Sequence, residues 1–225
     1  MDIFERALQS FSSGEKVKYF RLAKAGDEAV IRFLIGVDDL KARWGAMFHT
    51  VPTYRNGKVW YAPVKCWNEN EDSPAPGQCP VCKVRDANGR PNYPGPMAFV
   101  PILLLGIRSG NNPPEIPEEN DRLRIWQMRR ADINGLGVVL KDKREEDETW
   151  DIDQQDFRVQ RLGEKASTSY YFSPKKKTPL LGEYTLPDPV QWNKYLSLEE
   201  IQRLLGQEPE PAPAAQSPRS VNPFI

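Results

Sequence analysis

One histidine and three cysteines are all that this 225-residue chain has of those types, and they stand together. His49 is followed by sixteen residues, Cys66 by twelve and Cys79 by two before Cys82. Three thiolates and one imidazole are the donor set of a closed tetrahedral zinc site. The pair Cys79-Pro80-Val81-Cys82 offers two sulfurs from one tight turn, because a two-residue spacer lets both point at the same ion. The competing reading is a stray histidine with inert thiols, and it must cluster every candidate ligand by accident. A redox C-x-x-C opens a helix after a strand, whereas this one follows a Pro/Gly-rich loop, Ser73 to Gln78. A catalytic zinc keeps one position open on three protein ligands. Four candidate ligands therefore predict one structural zinc that contributes folding free energy directly.

Other chemistry is sparse. The chain has no G-x-x-x-x-G-K-[ST] loop, no G-x-G-x-x-G opening a helix and no H-E-x-x-H. With the single histidine on a metal, a His-based nucleophile relay has no base. The remaining enzyme reading is a hydrolase or metal-dependent nuclease built on scattered carboxylates, and the expectation is a protein that is not an enzyme.

Aromatic and basic residues do recur on the same segments: Trp44, Tyr54, Arg55, Lys58, Trp60, Tyr61, Lys65, Trp67, Arg124, Trp126, Arg158, Arg161, Tyr170, Tyr171 and Phe172. Bases stack on aromatic faces at about 1–3 kcal/mol each while Lys and Arg track phosphates, so this is the raw material of single-strand binding. Aromatics on strands also build cores, and about half of these are expected inward. Phe157 and Val159 alternate against Arg158 and Gln160, which turns Phe157 in. Three consecutive rings at Tyr170, Tyr171 and Phe172 put at least one outward.

The elements that must position these residues read as strands. Lys16 to Ala23 and Glu28 to Ile35 flank a turn at Lys24–Asp27, and Arg43 to Val51 and Lys58 to Trp67 are joined through Tyr54-Arg55-Asn56-Gly57. Asn-Gly tolerates positive φ at both positions and signals a hairpin. That hairpin carries His49 and Cys66 near the ends of its two strands and so brings the ligands together. Met97 to Ile107 is apolar throughout and reads as a buried central strand. Leu123 to Met128 reads as a strand or a helix start, Gly137 to Lys141 as a short apolar piece, and Lys143 to Glu148 as a solvated turn or helix end. Phe157 to Leu162 and Thr168 to Ser173 form a further strand pair, and Ser197 with Glu200 makes a capping box for a helix to Leu205. A short helix is expected at Asp2–Phe11. About eight to ten short strands predict a mostly β chain in the form of a small barrel.

Charge balances at 31 against 31, so any nucleic-acid groove must be local rather than global. The odd cysteine count and the polar opening MDIFERALQS predict an intracellular protein, and Met97–Ile107 is too short to span a bilayer. From Gln207 the composition turns to Pro and Ala without periodicity, which predicts a disordered tail over 207–225.

In the order His, Cys, then Cys-Pro-Val-Cys-Lys, the chain resembles the bacteriophage single-stranded DNA-binding proteins related to the T-even phage helix-destabilising protein. Tyr19 to Leu34 (YFRLAKAGDEAVIRFL) is similar to that family's N-terminal hairpin, and Asp151 to Pro174 to its pattern D-F-x-V-x-R-x-G followed by T-x-Y. The resemblance covers about 16–174. It implies an OB-fold, a Greek-key β-barrel, over 1–206, with a zinc-binding subdomain inserted at about 43–96 and short peripheral helices. It implies one zinc on His49, Cys66, Cys79 and Cys82 and a DNA path along Arg158, Arg161, Tyr170 and the hairpin aromatics. The implied role is to coat and protect single-stranded DNA, largely without regard to sequence, in viral DNA replication, recombination and repair, in the host cytoplasm. The chain departs from the family in a longer Cys66–Cys79 loop, in an N-terminal arm without a basic motif, and in a tail with only Glu208 and Glu210 as acids. Its tip, Pro223-Phe224-Ile225, resembles the apolar ends with which such tails dock on replication or recombination proteins. Two alternatives share these features: a zinc-ribbon adaptor between proteins, and an RNA-binding OB protein.

Overall fold

The computed structural model describes residues 18–55, 58–69, 73–85, 89–164, 167–179 and 184–206. The expected helix at Asp2–Phe11, the turn residues Asn56 and Gly57, and the tail with Pro223, Phe224 and Ile225 lie outside these residues.

The described chain is mostly β. Its strands are β1 (Lys18–Tyr19), β2 (Glu28–Phe33), β3 (Gly45–Arg55), β4 (Lys58–Lys65), β5 (Gly95–Arg108), β6 (Leu123–Arg129), β7 (Asp156–Leu162) and β8 (Ser169–Lys175). They form one mixed sheet in the order β1-β6-β5-β2-β7-β8, from which the β3–β4 hairpin branches through pairing of β3 with β5. β1 runs parallel to β6, and the other pairs are antiparallel.

β5 pairs with three strands, β6, β2 and β3. Residues 97–104 are buried without interruption, because sheet neighbours flank it on both edges and the core lies on both faces. Gly45–Phe48 of β3 pair with its first residues, and β2 pairs with its last. Of the described part of the expected strand Lys16–Ala23, Lys18–Tyr19 is strand, after which the Phe20 N–H still donates to the Ile125 carbonyl at 2.8 Å.

β2 and β7 alternate as their sequences require. Ala29, Ile31, Phe33, Phe157 and Val159 point into the main core. Three strands separate β6 from β8 in the sheet, yet Trp126 on β6 lies 5.0 Å from the Tyr170 ring and 5.5 Å from the Phe172 ring on β8. The sheet therefore curls around its core until its distant strands meet through their side chains.

The 17-residue helix α1 (Arg130–Glu146) covers β8. It merges two pieces that the sequence pattern separates, Gly137–Lys141 and Lys143–Glu148. Its burial is slight (only Asp132 and Leu136 are fully buried) and Gly135 and Gly137 lower its propensity, so no apolar stripe announces it. Gly135 is needed where it stands. A Cβ there would meet the Tyr170 carbonyl at 3.2 Å and the Phe172 ring at 3.4 Å.

Arg32 and Asp156 form a buried ion pair at 2.7 Å between β2 and β7, and Asp156 also accepts from the Thr178 N–H at 2.8 Å. The Arg32 guanidinium donates in turn to the Thr178 carbonyl, so the pair ties down the chain beyond β8.

A second, separate core lies beside the hairpin. Val51, Val64, Cys66, Trp67, Cys79 and Val81 pack there with Ile201 and Leu204 of helix α2 (Leu198–Leu205). α2 carries the expected capping box, with the Glu200 N–H donating to Ser197 Oγ at 3.2 Å and the Ser197 N–H donating to Glu200 Oε2 at 2.7 Å. Among the described residues no helix is long and apolar enough to cross a membrane.

Candidate metal centre and exposed sheet face

The hairpin register explains how residues far apart in sequence come to face one ion. Arg55 pairs with Lys58, so β3 and β4 fold back about the two-residue Asn56-Gly57 link and His49 pairs with Val64. Cys66, one residue beyond β4, extends the ladder by donating its N–H to the Met47 carbonyl at 2.8 Å. The chain then loops away and returns through a turn at Gly77, whose φ of +78° suits glycine. The Cys79 N–H donates to Asn68 Oδ1 at 2.9 Å, and a 3-10 turn at Val81–Lys83 aims Cys82 back at Cys79.

The ligand atoms of His49, Cys66, Cys79 and Cys82 all lie within 4.8 Å of one another. His49 Nε2 is 3.5 Å from the Cys79 sulfur and 3.3 Å from that of Cys82, and the Cys66 and Cys82 sulfurs are 3.7 Å apart. A tetrahedral ion with sulfurs at about 2.3 Å and an imidazole nitrogen at about 2.0 Å sets S–S edges near 3.8 Å and S–N edges near 3.5 Å. The Cys66–Cys82, His49–Cys79 and His49–Cys82 edges lie close to these values, and the whole set spans no more than 4.8 Å. A separation of 3.7 Å is also far beyond a disulfide bond, and all three cysteines are free. Three ligands are buried and Cys82 is half-buried, so the site is compatible with one metal ion enclosed on most sides.

The electrostatics call for a cation. Burial pushes the Cys66 thiol up, and pushes Cys82 up to about 12, with the neighbouring thiols adding to the Cys82 shift. Burial pushes the His49 imidazole down, opposed by Asn92 and the Glu69 charge, and so favours the neutral form that ligates. A bound cation would supply the positive charge that favours thiolates at this site, where Cys66 and Cys79 are buried and Cys82 is half-buried.

Comparison of the chain with protein-family models, with curated proteins and with solved structures finds no match.

Of the aromatic and basic residues singled out from the sequence, several are interior, which corrects the expectation that they meet bases. Trp44, Trp126 and Phe172 belong to the main core and Trp67 to the second core, each under a tenth exposed. A ring enclosed by side chains offers no face for stacking. Arg161 is buried and donates to the carbonyls of Leu22 and Ala23 at 2.7 and 2.5 Å and to Thr168 Oγ1 at 3.1 Å, so it organises the turn before β2. Lys65 is buried with its ammonium 4.2 Å from the Tyr195 ring centre. Arg124 is mostly covered, with Asp121 at 3.8 Å. Tyr170 is half-buried, edge-on to Trp126. The side chains of Tyr54, Arg55, Lys58 and Trp60 lie outside what is described, though their backbone forms the hairpin. Tyr61, Tyr171 and Arg158 are exposed.

These exposed residues fall on two surfaces. Tyr61 sits with Val59 on the hairpin arm. Arg158 and Tyr171 sit on the outer face of β2, β5, β7 and β8. There the register lines up Arg108, Glu28, Gln160 and Tyr171 in one row, with Val30, Arg158 and Ser173 in the next. Directly opposed residues share a face of the sheet. Arg108 and Arg158 both pair with Glu28, their side chains 40% and 44% exposed against 10% for the carboxylate. Lys175 ends β8 opposite Asp156, and Lys176 and Lys177 follow it, all three exposed, with the Lys177 ammonium donating to the Asp153 carbonyl at 3.0 Å.

Sequence reasoning passed over Arg108 and these lysines. The lysine run that follows Tyr170-Tyr171-Phe172 after Ser173 and Pro174 was a usable signal, whereas Arg108 is masked by the apolar run it ends.

Proposed function

We propose that this protein binds single-stranded DNA, largely without sequence preference, on the outer face of β5, β2, β7 and β8. In this reading a structural zinc fixes the hairpin lobe, and the curled sheet is an OB-type barrel. The observation that carries the reading is the exposed group of Arg108, Arg158 and Tyr171 on one sheet face, with the exposed lysines Lys175–Lys177 at and just beyond the end of β8. Tyr171 offers a stacking surface and the cations track phosphates, the combination that sequence-tolerant single-strand binding uses. The resemblance to phage helix-destabilising proteins points the same way and suggests service in replication, recombination and repair. Zinc is the ion of choice because three thiolates and an imidazole in a closed tetrahedron suit a soft, redox-inert dication.

The test is a fluorescence anisotropy titration with a labelled oligonucleotide of about ten or more bases. Labelled DNA is the better probe because Trp44, Trp67, Trp126, Trp150 and Trp192 are buried and would report binding weakly. Tight binding to the single strand, weak binding to the duplex, and a slope of log affinity against log salt of about -0.7 per phosphate contacted are expected. Equal affinity for single and double strands would refute the proposal, and an RNA of the same sequence in competition separates the RNA-binding alternative.

A second reading draws on Val59, Tyr61 and Tyr93, which are 50%, 60% and 79% exposed on or beside the hairpin arm. An exposed apolar arm held by a metal suits a protein adaptor. An adaptor would leave the oligonucleotide's anisotropy unchanged.

A further inference from the structure

Resting on the single-strand-binding reading, we propose that Glu28 is a built-in competitor of nucleic-acid phosphate, setting how tightly the sheet face binds. Glu28 opens β2 and stands directly opposite Arg108 on β5, while Arg158 on β7 lies one row away. Its two oxygens are divided between them: Oε2 accepts from Arg108 at 2.5 Å and Oε1 accepts from Arg158. The carboxylate is nearly covered, yet both guanidinium groups remain more than a third exposed. This geometry has a chemical meaning. Two guanidinium forks converging on one anion from neighbouring strands are what a phosphate group meets in a phosphate site. Here the protein's own carboxylate occupies that place.

Any phosphate arriving at this face therefore exchanges with Glu28 instead of adding to two free cations. The clamp keeps the arginines extended and ordered while holding the local charge to one net positive. Its buried flank differs in kind, because the neighbouring Arg32–Asp156 pair is closed to solvent and bound to Thr178, so no phosphate can compete for it. Glu28 is then a positioning and tuning residue, and the arginines make the contact.

The experiment titrates wild type, Glu28→Gln and Arg108→Gln with the same labelled single strand over a range of salt, alongside a thermal melt of each protein. Glu28→Gln keeps the shape and removes the charge. Each exposed ion pair it releases is weak, so the expected gain is about 2- to 10-fold in affinity at low salt. The salt slope should steepen by about 0.7 for each phosphate newly engaged. A merely structural role would lower the melting temperature and leave that slope unchanged. Arg108→Gln should weaken binding and flatten the slope. Unchanged or weaker binding by a folded Glu28→Gln would overturn the inference while leaving single-strand binding intact. Absence of binding by the wild type would overturn both.

Discussion

The main sheet and the metal lobe reach order by different means. Among the described residues the main core gathers 25 buried hydrophobic side chains, from Phe20 to Trp192, with the Arg32–Asp156 pair buried at its sheet. The lobe's core has eight, two of which are the ligands Cys66 and Cys79. A core that small cannot offset the conformational entropy of two strands, a long loop and a helix, and small cores take a staple. The proposed ion on His49, Cys66, Cys79 and Cys82 is that staple. The helix α2 makes the dependence two-sided, because Ile201 and Leu204 complete the same small core. One region holds itself, and the proposed ion holds the other.

The largest way to break this contrast is to take the ion away. Structural zinc sites supply about 10–16 kcal/mol of apparent binding free energy at neutral pH. Chelation, or Cys79→Ser, should abolish hydrogen-exchange protection at His49, Val64, Val81 and Ile201 and preserve it at Ile31, Leu103 and Val159. A lobe that stays protected without metal would place its stability elsewhere.

The converse break is Asp156→Ala. It strands Arg32 in the interior and should destabilise the sheet by about 3–5 kcal/mol in denaturant unfolding. Native mass spectrometry should still find one metal per chain.

Between these lies Ile201→Ala, which should cost about 2–5 kcal/mol locally, seen as faster metal loss to a chelator with little change in the sheet's own unfolding. If the sheet melts with it, the two cores are one cooperative unit.

The smallest effect is on pH. The hydrogen bond from Arg158 leads in holding the Glu28 carboxyl below its usual 4.5, with Arg108 assisting and burial opposing. A carboxylate with a depressed folded pKa adds stability above the unfolded value and loses it as pH falls through the folded one. Stability attributable to Glu28 should therefore be constant above about pH 4.5 and fade only in more acid solution. A urea midpoint measured against pH should fall more steeply in acid for wild type than for Glu28→Gln.

Much of this division was legible in the residues. The ligand set was complete because no other histidine or cysteine competes for the role, and Asn56-Gly57 dictated the hairpin that unites His49 and Cys66. β5 and the capped helix at Leu198 announced themselves by apolar continuity and by the Ser197–Glu200 box. Helix α1 did not, because its face is shallow and two glycines interrupt its propensity. Orientation was the harder problem. Trp44, Trp67, Trp126 and Phe172 are as aromatic as Tyr61 and Tyr171, and composition cannot say which side of a curling sheet a ring takes. Arg161 illustrates the same limit for charge: three acceptors from the turn before β2 and from Thr168 draw it inside, and none of them is adjacent in sequence.

The central claim is that the metal lobe builds while the sheet face binds, and the two exposed tyrosines test it most directly. Tyr171 lies on the sheet face and Tyr61 on the hairpin arm. In one anisotropy titration with single-stranded DNA, Tyr171→Ala should weaken binding by about 5- to 150-fold, the equivalent of one lost stacking contact. Tyr61→Ala should bind like wild type. The reverse pattern, with Tyr61 essential and Tyr171 silent, would contradict the account.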